Sequence, residues 1–283
     1  MNNQQAGSSG QQVNFSGSFS QRLTLLTGSE VTGALERSRV IVFGLGGVGS
    51  WCAEALVRSG LGSISLVDPD KVCISNINRQ IQATSSTVGL LKAEEMGKRL
   101  RDINPSCDIK VFSGSFSRET ADLFEISEVD FVIDAIDTMP HKLDLIETAH
   151  NSGRRLFSSM GMARKLDPTL VRTADIWDTS GCPLARLVRE GLRKRNFSGH
   201  FIAVYSPERL PRPPITEDDN GFTTDSVDGS TDGFTEWSSD RRAMGSAVTV
   251  TAAAGMTLAS LVIRDVYDRF TPPGELGREE HHG

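Results

Sequence analysis

Residues 39–50 read Arg39-Val40-Ile41-Val42-Phe43-Gly44-Leu45-Gly46-Gly47-Val48-Gly49-Ser50. A short apolar run closed by glycines predicts a buried strand that turns sharply into a helix. Ser50 to Ser59 continues with helical spacing, Trp51, Ala55 and Leu56 being expected on one side. Glycines at such a turn let the backbone approach a phosphate, and the following helix presents unpaired N–H groups and the positive end of its dipole to it. Ser63 to Val67 predicts a second strand, ended by Asp68, where an acid can accept hydrogen bonds from ribose hydroxyls. These residues alone imply a nucleotide site of open chemistry, because nicotinamide-dependent dehydrogenases share the glycine fingerprint.

Working outward, Val88 to Ile103 predicts a long helix stopped by Asn104-Pro105. Ile109–Phe112, Val129–Ala135 and Leu156–Ser159 predict strands, with a helix over His141–Asn151. Strands alternating with helices imply an α/β fold, a Rossmann-like doubly wound and mainly parallel sheet. Pro183 to Arg195 reads as one helix with apolar Leu184, Leu187, Val188 and Leu192 against basic Arg186, Arg189, Arg193, Lys194 and Arg195. Ala243 to Ile263 carries no charge over 21 residues, but Ala, Thr, Ser and Gly dominate it. A buried helix closing the core is expected there rather than a membrane span. The organisation expected is a disordered tail over 1–18, one domain over 19–206, a Pro-rich then acidic flexible loop over 207–242, a helix over 243–270 packed on the same domain, and a tail over 271–283.

The 283 residues hold 30 Lys+Arg against 36 Asp+Glu, a net charge of -6. That sum argues against a protein that coats nucleic acid over its whole surface. Residues 214–240, however, carry eight acids and no base; the rest of the chain then holds 30 basic and 28 acidic residues, a net of +2. A local basic face therefore remains open, and the acidic loop is a candidate competitor for it. Cys52, Cys73, Cys107 and Cys182 form no CxxC pair. Reduced thiols in a cytoplasmic protein are expected, without a zinc site on paired CxxC motifs. Cys52 and Cys73 read as core residues. Cys182 reads as a helix cap or packing residue, with a nucleophilic thiolate at a helix N-terminus as the alternative.

Further motifs narrow the chemistry. Asp68-Pro69-Asp70 is followed by Asn76-Ile77-Asn78-Arg79-Gln80, by Val88-Gly89 with Lys92, and by Asp134-Ala135-Ile136-Asp137; Arg22 lies upstream. In this order they resemble the ThiF/MoeB superfamily, the adenylating enzymes related to ubiquitin-activating enzymes. The resemblance implies ATP and Mg2+. It makes Gly44, Gly46, Gly47 and Gly49 the phosphate loop, puts Asp68 and Asp70 on the ribose side, and places Asn76 and Gln80 beside the phosphates. It makes Arg79 and Lys92 the cations, Asp137 the magnesium ligand, and Arg22 a residue that reaches into a neighbour's site in a homodimer.

The second half, with Lys165-Leu166-Asp167-Pro168-Thr169 and Pro183-Leu184-Ala185 leading into the basic helix, is similar to the tRNA threonylcarbamoyladenosine dehydratase (TcdA/CsdL) branch. That likeness implies adenylation of a threonyl carboxylate in tRNA and ring closure by the neighbouring carbamoyl group. On this reading Arg186, Arg189, Arg193, Lys194 and Arg195 are the candidate tRNA contacts. A cysteine desulfurase or sulfur-acceptor system is a candidate further partner. Activation of the C-terminal glycine of a ubiquitin-like or sulfur-carrier protein is the alternative function.

Overall fold

The computed structural model describes residues 19–211 and 245–271. The tail expected over 1–18, the acidic segment over 214–240 and all but the first residue of the tail expected over 271–283 lie outside them. The described chain runs α1 (Gln21–Thr27), α2 (Ser29–Arg37), β1 (Arg39–Phe43), α3 (Gly49–Arg58), β2 (Ser63–Val67), α4 (Lys92–Ile103), β3 (Asp108–Phe112), β4 (Phe131–Asp134), α5 (Met139–Asn151), β5 (Arg155–Ser159), β6 (Arg172–Asp175), α6 (Pro183–Lys194), β7 (Ile202–Tyr205) and α7 (Val248–Asp268).

Seven strands form one sheet in the order β3-β2-β1-β4-β5-β7-β6. All neighbours are parallel except β6, which runs antiparallel to β7 at the edge. The sheet is thus the Rossmann-like, mainly parallel one expected. β1 sits between β2 and β4, and its Val-Ile-Val-Phe run is buried on both faces, which explains its lack of polar alternation. Val40 and Val42 face a core with Leu56, Leu100, Leu258 and Val262, so α3, α4 and α7 cover that side. Ile41 and Phe43 face the opposite core, with Leu143, Ile146, Val188 and Leu192 of α5 and α6. Chain direction reverses its sideways progress between β1 and β4, which opens a crevice at their carboxyl ends.

The helix expected from Val88 begins four residues later. Gly89 has φ +87 and its N–H bonds to the Val72 carbonyl, while Val72 N–H bonds to Leu90. An antiparallel bridge of Lys71 with Leu91 then holds the segment extended, so tertiary pairing overrides local helical spacing. In α3 the buried stripe is Cys52, Ala53, Leu56 and Val57; Trp51 and Ala55, expected on one side with Leu56, are only half-buried. Trp51 is instead turned to donate its indole N–H to the Arg79 carbonyl at 2.9 Å.

α7 is long and apolar enough, by length and composition, to cross a membrane. Its small residues have a packing use here. A Cβ on Gly255 would stand 2.5 Å from the Val48 carbonyl oxygen and 2.9 Å from the Cys52 nitrogen, so α7 lies directly on the start of α3. Val250, Ala254, Leu258, Ala259, Val262 and Val266 of α7 are buried in the core beside it.

Candidate active site

The glycine loop follows β1 into the crevice. Gly44 has φ +87, and a Cβ there would meet the Ala135 carbonyl oxygen at 2.7 Å. A Cβ on Gly49 would overlap the Gly44 carbonyl oxygen at 1.8 Å. These two glycines let the loop close on itself and on the chain leaving β4. Gly46 meets nothing within 4 Å, so it borders open space, whereas Gly47 rests against Arg79 and Thr251. Leu45 is fixed at both polar groups: its N–H donates to Asp68 Oδ2 at 2.7 Å and its carbonyl accepts from Gln82 Nε2 at 2.8 Å. Among the described residues, none accepts from the amides of Gly46, Gly47 or Val48. Three successive N–H groups at a helix start form an anion cradle.

The charged groups lie around this cradle. Asp68 is buried, and its other oxygen accepts from Asp70 N–H at 2.9 Å. Burial raises its carboxyl above the ordinary range, opposed by Lys92 and by the two backbone donors. Asp68 therefore braces the loop as well as ending β2. Lys92 opens α4; its ammonium is nearly buried and pairs with the half-exposed Asp70 at 2.7 Å. Arg79 donates to the Ser75 carbonyl at 2.9 Å and to Asn78 Oδ1 at 3.0 Å. Burial lowers its guanidinium, and the charge of Asp137 opposes that. Asp137 is exposed, on the loop leaving β4, and makes no hydrogen bond or ion pair among the described residues. Asn76 is buried and caps its own turn through Cys73 N–H at 3.1 Å. The Oε1 atoms of Gln80 and Gln82 are buried with no partner among the described residues.

A cradle for phosphate with two cations and one free carboxylate at its rim suits a nucleoside triphosphate more than a dinucleotide. A sequence profile of the ThiF family matches residues 20–264. The chain belongs to the ThiF family. It is 43% identical over 187 residues to a tRNA threonylcarbamoyladenosine dehydratase of Bacillus subtilis, covering 66% of this chain and 74% of that protein. A protein of the same name from Haemophilus influenzae is 36% identical over 236 residues, covering 81% and 85%. The crystal structure of the Escherichia coli tRNA N6-threonylcarbamoyladenosine dehydratase TcdA in complex with ATP superposes with a TM-score of 0.75, at 30% identity over 89% of this chain and 95% of that one.

Two sets of predicted site residues in the ThiF chain, Arg22 and the basic residues of α6, lie away from this crevice. Arg22 is exposed on α1. Ser20, two residues before it, abuts Gly60 ahead of β2, at the amino ends of the strands, whereas the glycine loop lies at their carboxyl ends. The basic residues of α6 are also elsewhere. The helix starts at the crevice edge, where Leu184 touches Gly161 after β5, and 12 residues carry it roughly 18 Å away.

Most of the α6 charges hold the fold. Arg195 bonds Asp144 at 2.7 Å and Glu147 at 2.9 Å, two acids of α5 that Arg118 also engages. Arg189 donates to the Thr179 hydroxyl, Arg193 lies 5.3 Å over the Trp177 ring, and Arg186 pairs with Glu190 at 3.0 Å. Arg186, Arg193 and Lys194 remain exposed. Phe201 and Tyr205 are core residues.

Cys182 occupies the N-cap position of α6, but its buried thiol makes no capping bond. Cys52 is buried as expected, and burial pushes its thiol well up. Cys73, read as core, is half-exposed, because residues 73–77 form a surface turn.

Four site residues escaped sequence reading: Gln82, Thr251, Ser158 and Lys142. Lys142 had a signal. It opens the stripe Lys142, Leu145, Ile146 and Ala149 on α5, a lysine at the head of an apolar helix face.

Proposed function

We propose that this chain is an ATP-dependent tRNA threonylcarbamoyladenosine dehydratase. The observation that carries the reading is the glycine loop, whose Gly46, Gly47 and Val48 amides meet no acceptor among the described residues, with Arg79, Lys92 and Asp137 near it, in a chain that aligns over most of its length with dehydratases of that name. ATP binds with its phosphates on the glycine-loop amides. The threonyl carboxylate of the modified tRNA attacks the α-phosphorus and pyrophosphate leaves. The neighbouring carbamoyl group then attacks the acyl-adenylate, AMP departs and the ring closes, with net loss of one water from the nucleoside. Negative charge gathers on the phosphate oxygens in the first step, and Arg79 and Lys92 are the in-chain cations that meet it. Ring closure is intramolecular, so proximity replaces a protein nucleophile. The burial of the Cys182 thiol agrees with that.

Magnesium fits the donor set. Among the described residues no three His, Cys, Asp or Glu side chains cluster, as a protein cage would need. A hard ion held by one carboxylate, the substrate's phosphates and water needs only Asp137. Such an ion supplies positive charge to the triphosphate.

Homodimerisation completes the site in this reading. Arg22 stands outside its own crevice, and Leu25 and Leu26 beside it are 75% and 78% exposed, an apolar surface suited to a second copy. Arg186, Arg193 and Lys194 contact tRNA phosphates, whereas Arg195 serves the α5–α6 contact. Cytoplasmic action follows from the substrate. Incubation with ATP, magnesium and tRNA lacking the cyclic form, followed by nucleoside analysis, tests the proposal. A Gly-Gly-tailed protein supplied in place of tRNA tests activation of a ubiquitin-like partner.

A further inference from the structure

The loop that carries Asp137 is gripped from behind by an ion pair with no solvent access. Lys142 Nζ lies 2.8 Å from Asp134 Oδ2, and both side chains are 0% exposed. The same ammonium donates to the Ile136 carbonyl at 2.9 Å, while Asp134 Oδ1 accepts from Ile136 N–H at 3.0 Å. One ion pair thus fixes both polar groups of the residue immediately before Asp137. Ser158 Oγ donates to Asp134 Oδ2 at 2.6 Å, anchoring the pair to β5. On the other side, Ala135 N–H bonds to the Phe43 carbonyl, and the Ala135 carbonyl fills the space a side chain at Gly44 would need.

Burying two charges has a large desolvation cost, and a hydrophobic pair of similar volume often stabilises a core as well or better. Stability therefore does not by itself explain this pair. Its geometry does something an apolar pair could not, which is to hold a short irregular backbone segment at a set position beside the glycine loop. Residues that orient ligating groups in this way act through hydrogen bonds behind the ligand.

We propose that Asp134 and Lys142 are positioning residues that hold Asp137 at its place in the crevice for magnesium bound with ATP. The inference rests on the assignment of Asp137 in the proposed function. Removing the pair lets residues 135–137 wander, so the magnesium contribution to ATP binding falls while the glycine-loop contribution stays.

The test uses the full chain with Asp134→Asn/Lys142→Met, which removes both charges together, beside Asp137→Asn. Two readouts are taken without turnover. One is hydrogen exchange across residues 134–138. The other is the thermal shift given by ATP in chelator and then along a magnesium titration. In the double variant, exchange is faster, the shift with ATP in chelator matches the parent, and the magnesium midpoint rises by about 10- to 100-fold. Parent-like exchange together with a parent-like magnesium midpoint overturns the proposal. If the double variant does not fold, the fully apolar pair Asp134→Val/Lys142→Leu carries the same comparison. If Asp137→Asn keeps the parent's magnesium response, the magnesium assignment fails instead; the clamp is then judged on exchange alone, faster exchange supporting it and unchanged exchange overturning it.

Discussion

The Leu45 amide donates to Asp68 Oδ2 at 2.7 Å, tying the first turn of the glycine loop to the end of β2. Because Asp70 N–H takes the other oxygen, one buried carboxylate sets both the loop and the segment that leads to Lys92. Asp68→Asn turns an N–H donor toward one of these amides. It is expected to lose about 1.5–3 kcal/mol of stability, the range for hydrogen bonds to charged groups, and to weaken ATP binding. Thermal melts with and without ATP check both. The pH dependence has a definite sign. Burial raises the folded carboxyl above its ordinary value of 3.8, so the folded state holds the proton more tightly than the unfolded one. The stability difference between parent and variant should therefore be largest below that value and shrink as pH rises through the folded range.

Arg79→Ala and Lys92→Ala should each abolish adenylation without unfolding the chain. Loss of one preorganised donor costs about 3–4 kcal/mol of transition-state stabilisation, or roughly 10²–10³ in kcat. Lys92's partner Asp70 is half-exposed and tolerates being left alone. AMP release in the presence of substrate tRNA measures the effect; near-parent rates would show that the triphosphate lies elsewhere.

Gly255→Val should damage stability and nucleotide binding together. Its Cβ would press on the Val48 carbonyl and the Cys52 amide, so α7 must lift from the start of α3. Overpacking of this kind typically costs about 1–3 kcal/mol. A lower Tm with an unchanged ATP shift would mean that the helix contact is decoupled from the loop.

The basic helix separates into two kinds of residue. Charge reversal at Arg193 and Lys194 should weaken tRNA binding and flatten its dependence on salt. Arg195→Ala should instead loosen α6 from α5, because Asp144 and Glu147 lose a cation, and should leave the salt slope close to the parent's. Filter binding across a salt series distinguishes the two.

Local pattern sufficed for the strands that hold the site. β1 and β2 run from Arg39 to Phe43 and from Ser63 to Val67, as their apolar runs suggest, because a central parallel strand is written as continuous hydrophobicity. Pattern failed where distant residues decide. The bridge between Lys71 and Leu91 delays α4, and the Trp51 bond to Arg79 turns a tryptophan off the core face. β6 and β7 follow no simple strand–helix alternation, since β6 runs antiparallel at the edge. Among site residues, the glycines and Asp68 announce themselves by type and position. Lys142 shows in sequence only as the head of an apolar helix stripe, and the fold adds that it meets Asp134.

The most direct test of the central claim is conversion of the modified nucleoside itself. Purified protein is incubated with ATP, magnesium and tRNA carrying threonylcarbamoyladenosine, and the digested nucleosides are weighed by mass spectrometry. The account predicts a product lighter by one water, formed with AMP and pyrophosphate and absent with Arg79→Ala. An unchanged nucleoside from folded, ATP-binding protein would contradict it.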